Sequence, residues 1–429
     1  MIRPNSIWCL LWAFGSLFLA GTGHAEEEWR TWKSSAGTFI EAKLVSFDGK
    51  QAKLEKKDGK FLTVPATALS PEDQEVLAKS LIAPVVKGDP FISGIAAKPG
   101  VISAPIVCEA DKTWSYLLYL PKDFHSGRKW PVCFVMDPGG MKASGLEHYI
   151  PAAERLGVIL AGSVESRNDF SDSEVAMMAM VKDVNARVPV LPKFAMTSGM
   201  SGGARMAYLM AEYEPTVSGV LSIACGAGVY VKDGGFRQPA LRKSTAVVTL
   251  IGTNDYSRTE AVQAHNGFGK DAPILWFEGH HDWASKELIG EGMAVLYGKI
   301  LERCKDKSFD FLKEDFAKDQ LTVARENKDK QPEVTYRWAT FLSKFPSGVA
   351  ATQKEADALN SALTQGPQIA KGEKAMETFT KKYFSEGYHA TDCVPNPGRD
   401  HEAGKVSAEV AGSPAASLIK LMGAECDKP

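Results

Sequence analysis

The sequence lacks a surplus of charge of either sign. Its 50 lysines and arginines stand against 52 aspartates and glutamates in 429 residues, a formal net charge of -2. Such balance leaves no broad electrostatic footprint for a polyanion, so nucleic acid is not expected as a partner. Beyond the first 25 residues no apolar run approaches the ~20 residues that cross a bilayer, and no integral membrane insertion is expected there. No Cys-x-x-Cys and no Cys/His pair at ligand spacing occurs, so no metal site is expected. No convincing fixed-period repeat occurs, so the region beyond 303 is expected to be a helical appendage that packs on its neighbour. What is present, 44% hydrophobic residues over this length, suffices for one large core and two or three domains.

The first 25 residues are where apolar character concentrates. Arg3 supplies a positive start, 7–20 is mostly apolar, and Gly23-His24-Ala25 places small residues around a cleavage point, the pattern of a signal peptide spanning 1–25. The mature chain would begin near Glu26, secreted or periplasmic. Cys9 would leave with the signal. Cys108, Cys133, Cys225, Cys304, Cys393 and Cys426 would then meet an oxidising compartment. Cys393 and Cys426 share a polar C-terminal region and are the expected disulfide pair, whereas Cys133 lies in an apolar strand and is expected to be a buried thiol.

Residues 28–78 show period-2 patterning. Ile40, Ala42 and Leu44 alternate with Glu41 and Lys43, and Asp48-Gly49 and Asp58-Gly59 mark tight turns. Ser70-Pro71-Glu72-Asp73 reads as a capped helix start. A meander this short closes best as a small barrel. The string RTWKSSAGTFIEAKLVSFDGKQAKLEKKDGKFLTVPATALSPEDQEVL, with Trp32, Gly37, two Asp-Gly-Lys turns and the Leu69-Ser70 ending, resembles the Sla homology domain, a Src-homology-type barrel. The resemblance implies an interaction module with a protein or glycan partner rather than a catalyst. Residues 79–100, rich in proline and glycine, read as a linker.

From 101 to 302, apolar runs at 116–120, 131–136, 157–161, 194–198, 217–224, 246–252 and 274–277 alternate with helical patterns at 173–186, 204–212 and 286–301. That alternation predicts an α/β domain, a mainly parallel sheet covered by helices on both faces. Residues 303–429 turn lysine- and glutamate-rich, with amphipathic helices expected near 309–331, 332–345, 350–364 and 369–385, then a polar loop after Gly387 until a last helix at 415–423.

Within the α/β region, TSGMSGGARMAY (197–208) places Ser201 between an apolar strand and a helix, with Gly199 and Gly203 two residues either side. That is the context of a nucleophile elbow. A serine hydroxyl needs a histidine to accept its proton, and that histidine needs a carboxylate to hold its tautomer. Asp255 follows the strand 246–252, and the pair His280-His281 follows the strand 274–277, so Ser, Asp and His occur in the order this sheet fold expects. From position alone either histidine could serve. The oxyanion hole would take the N–H of Gly202 and one from Gly139, Gly140 or Met141, since Pro138 has none. Glu165, Arg167 and Asn168 lie at another strand's carboxyl end, the rim where substrate binds in such sheets. Asp282 is expected to be structural, capping the next helix.

The strings GMSGGARMAYLMA, AERLGVILAGSVESRND and FEGHHDW resemble the alpha/beta-hydrolase superfamily, and within it secreted esterases, polyhydroxyalkanoate-depolymerase-like and dienelactone-hydrolase-like enzymes. The resemblance covers 101–302. It assigns Ser201 as nucleophile, Asp255 as acid and His281, which precedes an Asp-Trp pair, as base. Where Asp137 stands, families with a strict His-Gly-Gly signature carry histidine. The expected activity is hydrolysis of a carboxylic ester through an acyl-enzyme, with no cofactor. The roughly twenty residues between 224 and 246 are too few for a large lid, which suits polymeric or polysaccharide-linked esters. A serine peptidase of the same fold, and a non-catalytic binding protein, are the alternatives.

Overall fold

The computed structural model describes residues 29–47, 51–58, 60–80, 95, 97–125, 129–230, 236–269, 271–306, 309–346, 350–385 and 396–424. The expected signal peptide, most of the 79–100 linker, the Asp48-Gly49 turn, Gly59, Cys9 and the expected Cys393–Cys426 pair lie outside the described residues. Two compact units emerge, 1–70 and 71–429.

In the first unit, strands β1 (Arg30–Lys33), β2 (Phe39–Phe47), β3 (Gln51–Lys56) and β4 (Phe61–Pro65) form an antiparallel meander in sequential order. Alternation turns Trp32, Ala42, Ala52 and Leu54 inward. The Trp32 indole N–H donates to the Ala42 carbonyl at 3.0 Å, so its one polar group is satisfied inside. Past a 3₁₀ turn at Ala66–Ala68, Leu69 bridges Ser34. The Ser70 N–H donates to Lys33 O at 2.8 Å and the Ser35 N–H to Ala68 O at 2.9 Å. Those bonds occupy the edge of β1 that the meander leaves open, which curls a flat sheet toward a barrel.

The second unit opens with α1 (Pro71–Ser80) and is built on eight strands. These are β5 (Ile106–Val107), β6 (Ser115–Tyr119), β7 (Trp130–Met136), β8 (Ile159–Ser163), β9 (Val190–Met200), β10 (Val217–Ile223), β13 (Ala246–Gly252) and β14 (Ile274–Phe277). A separate ribbon pairs β11 (Val229–Tyr230) with β12 (Phe236–Arg237). The sheet order is β14-β13-β10-β9-β7-β8-β6-β5. Pairing is parallel from β14 to β8 and antiparallel where β6 meets β8 and β5. This is the alpha/beta-hydrolase arrangement.

Burial explains why these strands read as unbroken apolar runs. Every residue of β7, β8 and β13 is buried, as a parallel sheet covered on both faces requires. Cys133, Val135, Leu160, Met196, Leu221, Val248 and Leu250 face one core, and Val132, Phe134, Ile159, Ala161, Ala195, Val220 and Val247 the other. The first core is covered by α3 (Ile150–Leu156), preceded by the short α2 (Ala143–Glu147), and by α7 (Lys286–Arg303) through Ile289, Met293, Leu296 and Ile300. The second is covered by α4 (Ser173–Arg187) and α5 (Gly202–Tyr213). Each such fully buried aliphatic contributes roughly 1.5–3 kcal/mol relative to exposure.

The C-terminal helices continue this core. The rings of Phe316 on α8 (Asp310–Asn327) and Trp338 on α9 (Pro332–Leu342) are buried in the same cluster as α7, joined by Ala356 of α10 (Ala350–Ser361). Gly298 of α7 permits this approach, since a Cβ there would lie 2.8 Å from the Phe316 ring. Helices α11 (Gly366–Phe384), α12 (Pro397–Glu409) and α13 (Ala415–Gly423) form another cluster, which includes Val262 of α6 (Arg258–Phe268) and takes in Ile274 and Trp276 of the edge strand β14. Helix α12 corrects the expected loop. Asn396 caps it, accepting from the Arg399 N–H at 3.0 Å, and Pro397 occupies its first turn. Its buried stripe, Arg399 and Ala403, contains too little apolar surface to show as a hydrophobic period.

Among the described residues no helix is long and apolar enough to cross a membrane, and no cluster of three or more His, Cys, Asp or Glu could hold a metal ion. Cys108, Cys133, Cys225 and Cys304 are free thiols, the first three buried. Burial pushes the Cys108 thiol up to about 11, with the Asp183 charge adding to it, and burial raises Cys133 and Cys225 as well. Since the thiolate is the reactive form, iodoacetamide at about pH 8 is expected to spare all three in the native protein and modify them after urea unfolding. Peptide mapping that finds any of them alkylated before unfolding would contradict this burial.

Candidate active site

The site begins at a single residue between strand and helix. β9 ends at Met200 and α5 begins at Gly202, and Ser201 between them adopts φ 53°, ψ -120°. A non-glycine residue in this region stores about 1–3 kcal/mol of strain and persists only where its surroundings enforce it. Here the Ser201 N–H donates to Ile223 O on β10 at 2.9 Å, and the Ser201 carbonyl accepts from Ala204 N–H at 2.9 Å and Arg205 N–H at 3.2 Å. The flanking glycines allow the turn to close. A Cβ on Gly199 would lie 2.5 Å from the Gly203 carbonyl, and one on Gly203 would lie 2.4 Å from Met136 O of β7. The helix therefore presses backbone to backbone on the sheet and holds the Ser201 side chain at the strands' carboxyl ends.

Two further loops meet there. Thr253 N–H donates to Phe277 O and Asn254 N–H to Gly279 O, both at 2.9 Å, which fastens the loop after β13 to the loop after β14. Gly252 makes this possible, as a Cβ there would lie 2.6 Å from the carbonyls of Gly279 and His280. The result is a continuous chain of polar contacts. Asp255 Oδ1 lies 3.0 Å from His281 Nδ1, and His281 Nε2 lies 2.8 Å from Ser201 Oγ. His280 is exposed; His281 alone makes both contacts.

Asp255 is wholly buried. Desolvation raises its carboxyl above the usual range, opposed by the hydrogen bond and charge of His281, the Ser257 N–H at 2.7 Å and the charge of Arg258. An ionised Asp255 accepts from Nδ1–H, which leaves Nε2 as the lone-pair acceptor facing Ser201. Tyr256 joins this nitrogen. Its hydroxyl lies 2.8 Å from His281 Nε2, and its ring stacks on the imidazole with centroids 4.0 Å apart. Desolvation, then the Asp255 charge, raises the phenol, so it stays protonated. Sequence reasoning missed Tyr256, although it adjoins Asp255 in the chain.

Arg258 was also missed. Its side chain is fully buried, with Nη1 donating to Thr253 O at 2.5 Å and Nη2 to Ala424 O at 3.3 Å. The guanidinium lies 4.7 Å from the Phe384 ring centroid. Arg399 of α12 reaches the same Ala424 carbonyl at 3.3 Å and lies 5.8 Å from the same ring. Thus the loop carrying Asp255 is tied to the end of α13, where helix carbonyls favour positive charge.

Other expected site residues sit differently. Gly202 is the first residue of α5, where an N–H has no acceptor within the helix. Gly140 does not offer the second donor. Its N–H is bonded to Asp137 O at 3.1 Å in a turn, and its φ of 82° and a would-be Cβ 2.4 Å from Val164 O make it a packing glycine. Glu165 is not available to substrate either, because one carboxylate oxygen accepts from Ser115 N–H at 2.8 Å and the other from Ser115 Oγ at 2.6 Å, holding β6. Arg167 remains on the exposed rim, its guanidinium 4.5 Å from the Phe170 ring. Asp282 bonds the next residue, accepting from Trp283 N–H at 2.7 Å; Ser285 caps α7 instead, accepting from Leu288 N–H at 3.2 Å. Trp283 stacks on His148 with centroids 4.9 Å apart, steadying the histidine loop.

Residues 23–82 match the sequence family of SLA1 homology domain 1. No curated protein matches the chain in sequence. Solved structures similar to it include Est1E from Butyrivibrio proteoclasticus, 17% identical, covering 46% of this chain and 96% of that one with a TM-score of 0.33. An acetyl xylan esterase from Aspergillus awamori is 11% identical, covering 47% of this chain and 100% of its own, TM-score 0.36. A ferulic acid esterase from the anaerobic fungus Anaeromyces mucronatus is 11% identical, covering 50% and 97%, TM-score 0.35. The sheet order and the strained turn define the fold of the second unit independently of these likenesses.

Gly203→Ala is expected to destabilise the protein by about 1–3 kcal/mol, because the new methyl meets backbone that cannot yield. By contrast Gly404→Ala, in α12 where a Cβ meets nothing within 4 Å, is expected to stabilise by about 0.5–1 kcal/mol. Urea unfolding followed by circular dichroism distinguishes them, and a neutral Gly203→Ala would contradict the close packing at the turn.

Proposed function

We propose that the second unit is a serine esterase, exported with the signal peptide expected at 1–25, that cleaves carboxylic esters through an acyl-enzyme. The observation that carries this reading is the chain Asp255 Oδ1, His281 Nδ1, His281 Nε2, Ser201 Oγ, with links of 3.0 and 2.8 Å. Ser201 Oγ attacks the ester carbonyl while Nε2 takes its proton, and the imidazolium so formed is stabilised by buried Asp255. Nε2–H then protonates the leaving alcohol. Water attacks the acyl-enzyme by the same route and releases the acid.

Substrate class follows from what covers the site. Between β10 and β13 the described chain supplies only the β11/β12 ribbon and short connections, and Ser201 and His281 retain partial exposure. Sparse cover of this kind suits an ester carried on a polymer or polysaccharide. The SLA1-homology unit would serve as the interaction module, binding a protein or glycan partner.

The mature protein is expected to react with a fluorophosphonate probe and to hydrolyse aryl acetates. Ser201→Ala and His281→Ala should each lower kcat by about 10⁴-fold or more, since such residues act as a unit. Probe labelling that survives Ser201→Ala would overturn the assignment. Faster cleavage of peptide anilides than of the matching esters would make the enzyme a peptidase instead.

A further inference from the structure

The oxyanion of the proposed reaction needs a second donor beside the Gly202 N–H, and the loop expected to supply it has its backbone donors already bonded. After β7, Gly139 N–H is bonded to Asp137 Oδ1 at 2.7 Å, Gly140 N–H to Asp137 O at 3.1 Å, and Met141 N–H to Ser163 O at 3.0 Å. All three backbone donors are committed within the loop or to β8. Pro138 has none to offer. A transition state with a single donor would forgo a contribution commonly worth a factor of 10²–10³ in kcat.

Asn168 occupies the neighbouring space. A Cβ built on Gly202 would lie 1.9 Å from its Oδ1 and 3.0 Å from its Nδ2, so the carboxamide lies directly against the residue that follows Ser201. Its own backbone N–H donates to Pro138 O at 2.8 Å, which ties the turn after β8 to the turn after β7 on the side of Gly202. Asp169 next to it adopts φ 57°, a left-handed turn that aspartate tolerates, and Asn168 itself is exposed at the rim. A half-turn about the last side-chain bond exchanges the carboxamide oxygen and nitrogen, so this position can present two N–H donors. Tyr256, the other candidate donor, has its hydroxyl against His281 Nε2 and the Ser201 side chain, at the nucleophile and base rather than beside Gly202.

We infer that the Asn168 carboxamide is the second oxyanion donor, a catalytic side chain in the place where backbone N–H groups are spent. The inference rests on Ser201 being the nucleophile. As Ser201 Oγ bonds to the carbonyl carbon and its proton passes to His281 Nε2, the carbonyl π pair moves onto oxygen. That oxygen is then held by Gly202 N–H and Asn168 Nδ2–H until the pair returns and the alcohol leaves with the proton from Nε2. The same requirement explains why position 202 is glycine: any side chain there would expel the amide.

The test compares the full-length enzyme with Asn168→Ala, which deletes the donor, and Asn168→Asp, which replaces it with a charge of the oxyanion's own sign. On an aryl acetate kcat should fall about 10²-fold in Asn168→Ala and further in Asn168→Asp, with KM within about threefold of wild type, because the contact forms only in the transition state. Inhibition by an alkylboronic acid, whose tetrahedral Ser201 adduct places an oxygen in the same hole, should weaken in step with kcat. A merely structural Asn168 would shift the thermal unfolding midpoint without that parallel. Retention of kcat within about threefold in both variants, or a raised KM with unchanged kcat, would overturn the inference while leaving Ser201 in place. A wild-type protein inert toward both the fluorophosphonate and the ester would overturn the nucleophile reading first, and this one with it.

Discussion

The site depends on one close approach, helix α5 lying backbone to backbone on strands β7 and β9. Glycines at 199 and 203 permit it, with Cβ positions that would fall 2.4–2.7 Å from main-chain atoms of Met136 and Gly203. The contact forces Ser201 to φ 53°, a conformation whose strain, about 1–3 kcal/mol, is offset by the buried apolar faces of the sheet around it. With a wider turn the hydroxyl would fall back toward the core and lose its reach to His281.

A second constraint of the same kind aligns the other two residues. Gly252 lets the loops after β13 and β14 run in backbone contact, and two hydrogen bonds at 2.9 Å hold them there. Asp255 and His281 therefore arrive together rather than separately. Arg258 extends this alignment outward. It binds Thr253 O on one side and the end of α13 on the other, with Phe384 against its guanidinium. The C-terminal helices are thus part of what holds the acid in place. A buried arginine of this kind gives little net stability, but removing one partner leaves the rest unsatisfied, so the loop and the helices are coupled.

Much of this was legible from residue order alone. The strand, turn and helix around Ser201, the acid after β13 and the histidine after β14 follow from apolar run lengths and from glycine placement. The helices of the C-terminal region at 310–327, 332–342, 350–361, 366–384 and 415–423 announced themselves by apolar periodicity. What stayed hidden was decided by partners that residue type and local pattern do not specify. Gly140 looked like a donor because its residue type suits the task, yet its N–H is turned into its own loop. Glu165 looked like a rim residue because of the strand end it follows, yet both its oxygens hold Ser115. Tyr256 and Arg258 acquire their roles through partners 25 and 166 residues away, a distance at which no local pattern operates. Helix α12 escaped because its buried stripe includes an arginine.

The central claim is that Ser201 carries the acyl group between two half-reactions. The most direct measurement is rapid mixing of the mature protein with an activated aryl acetate, acid quench, and mass spectrometry of the digested chain. The account predicts a burst of released phenol matched by one acetyl group on the peptide containing Ser201, decaying at the steady-state rate. Turnover with no acetylated peptide, or an acetyl group on any other residue that forms and decays at the turnover rate, would contradict it.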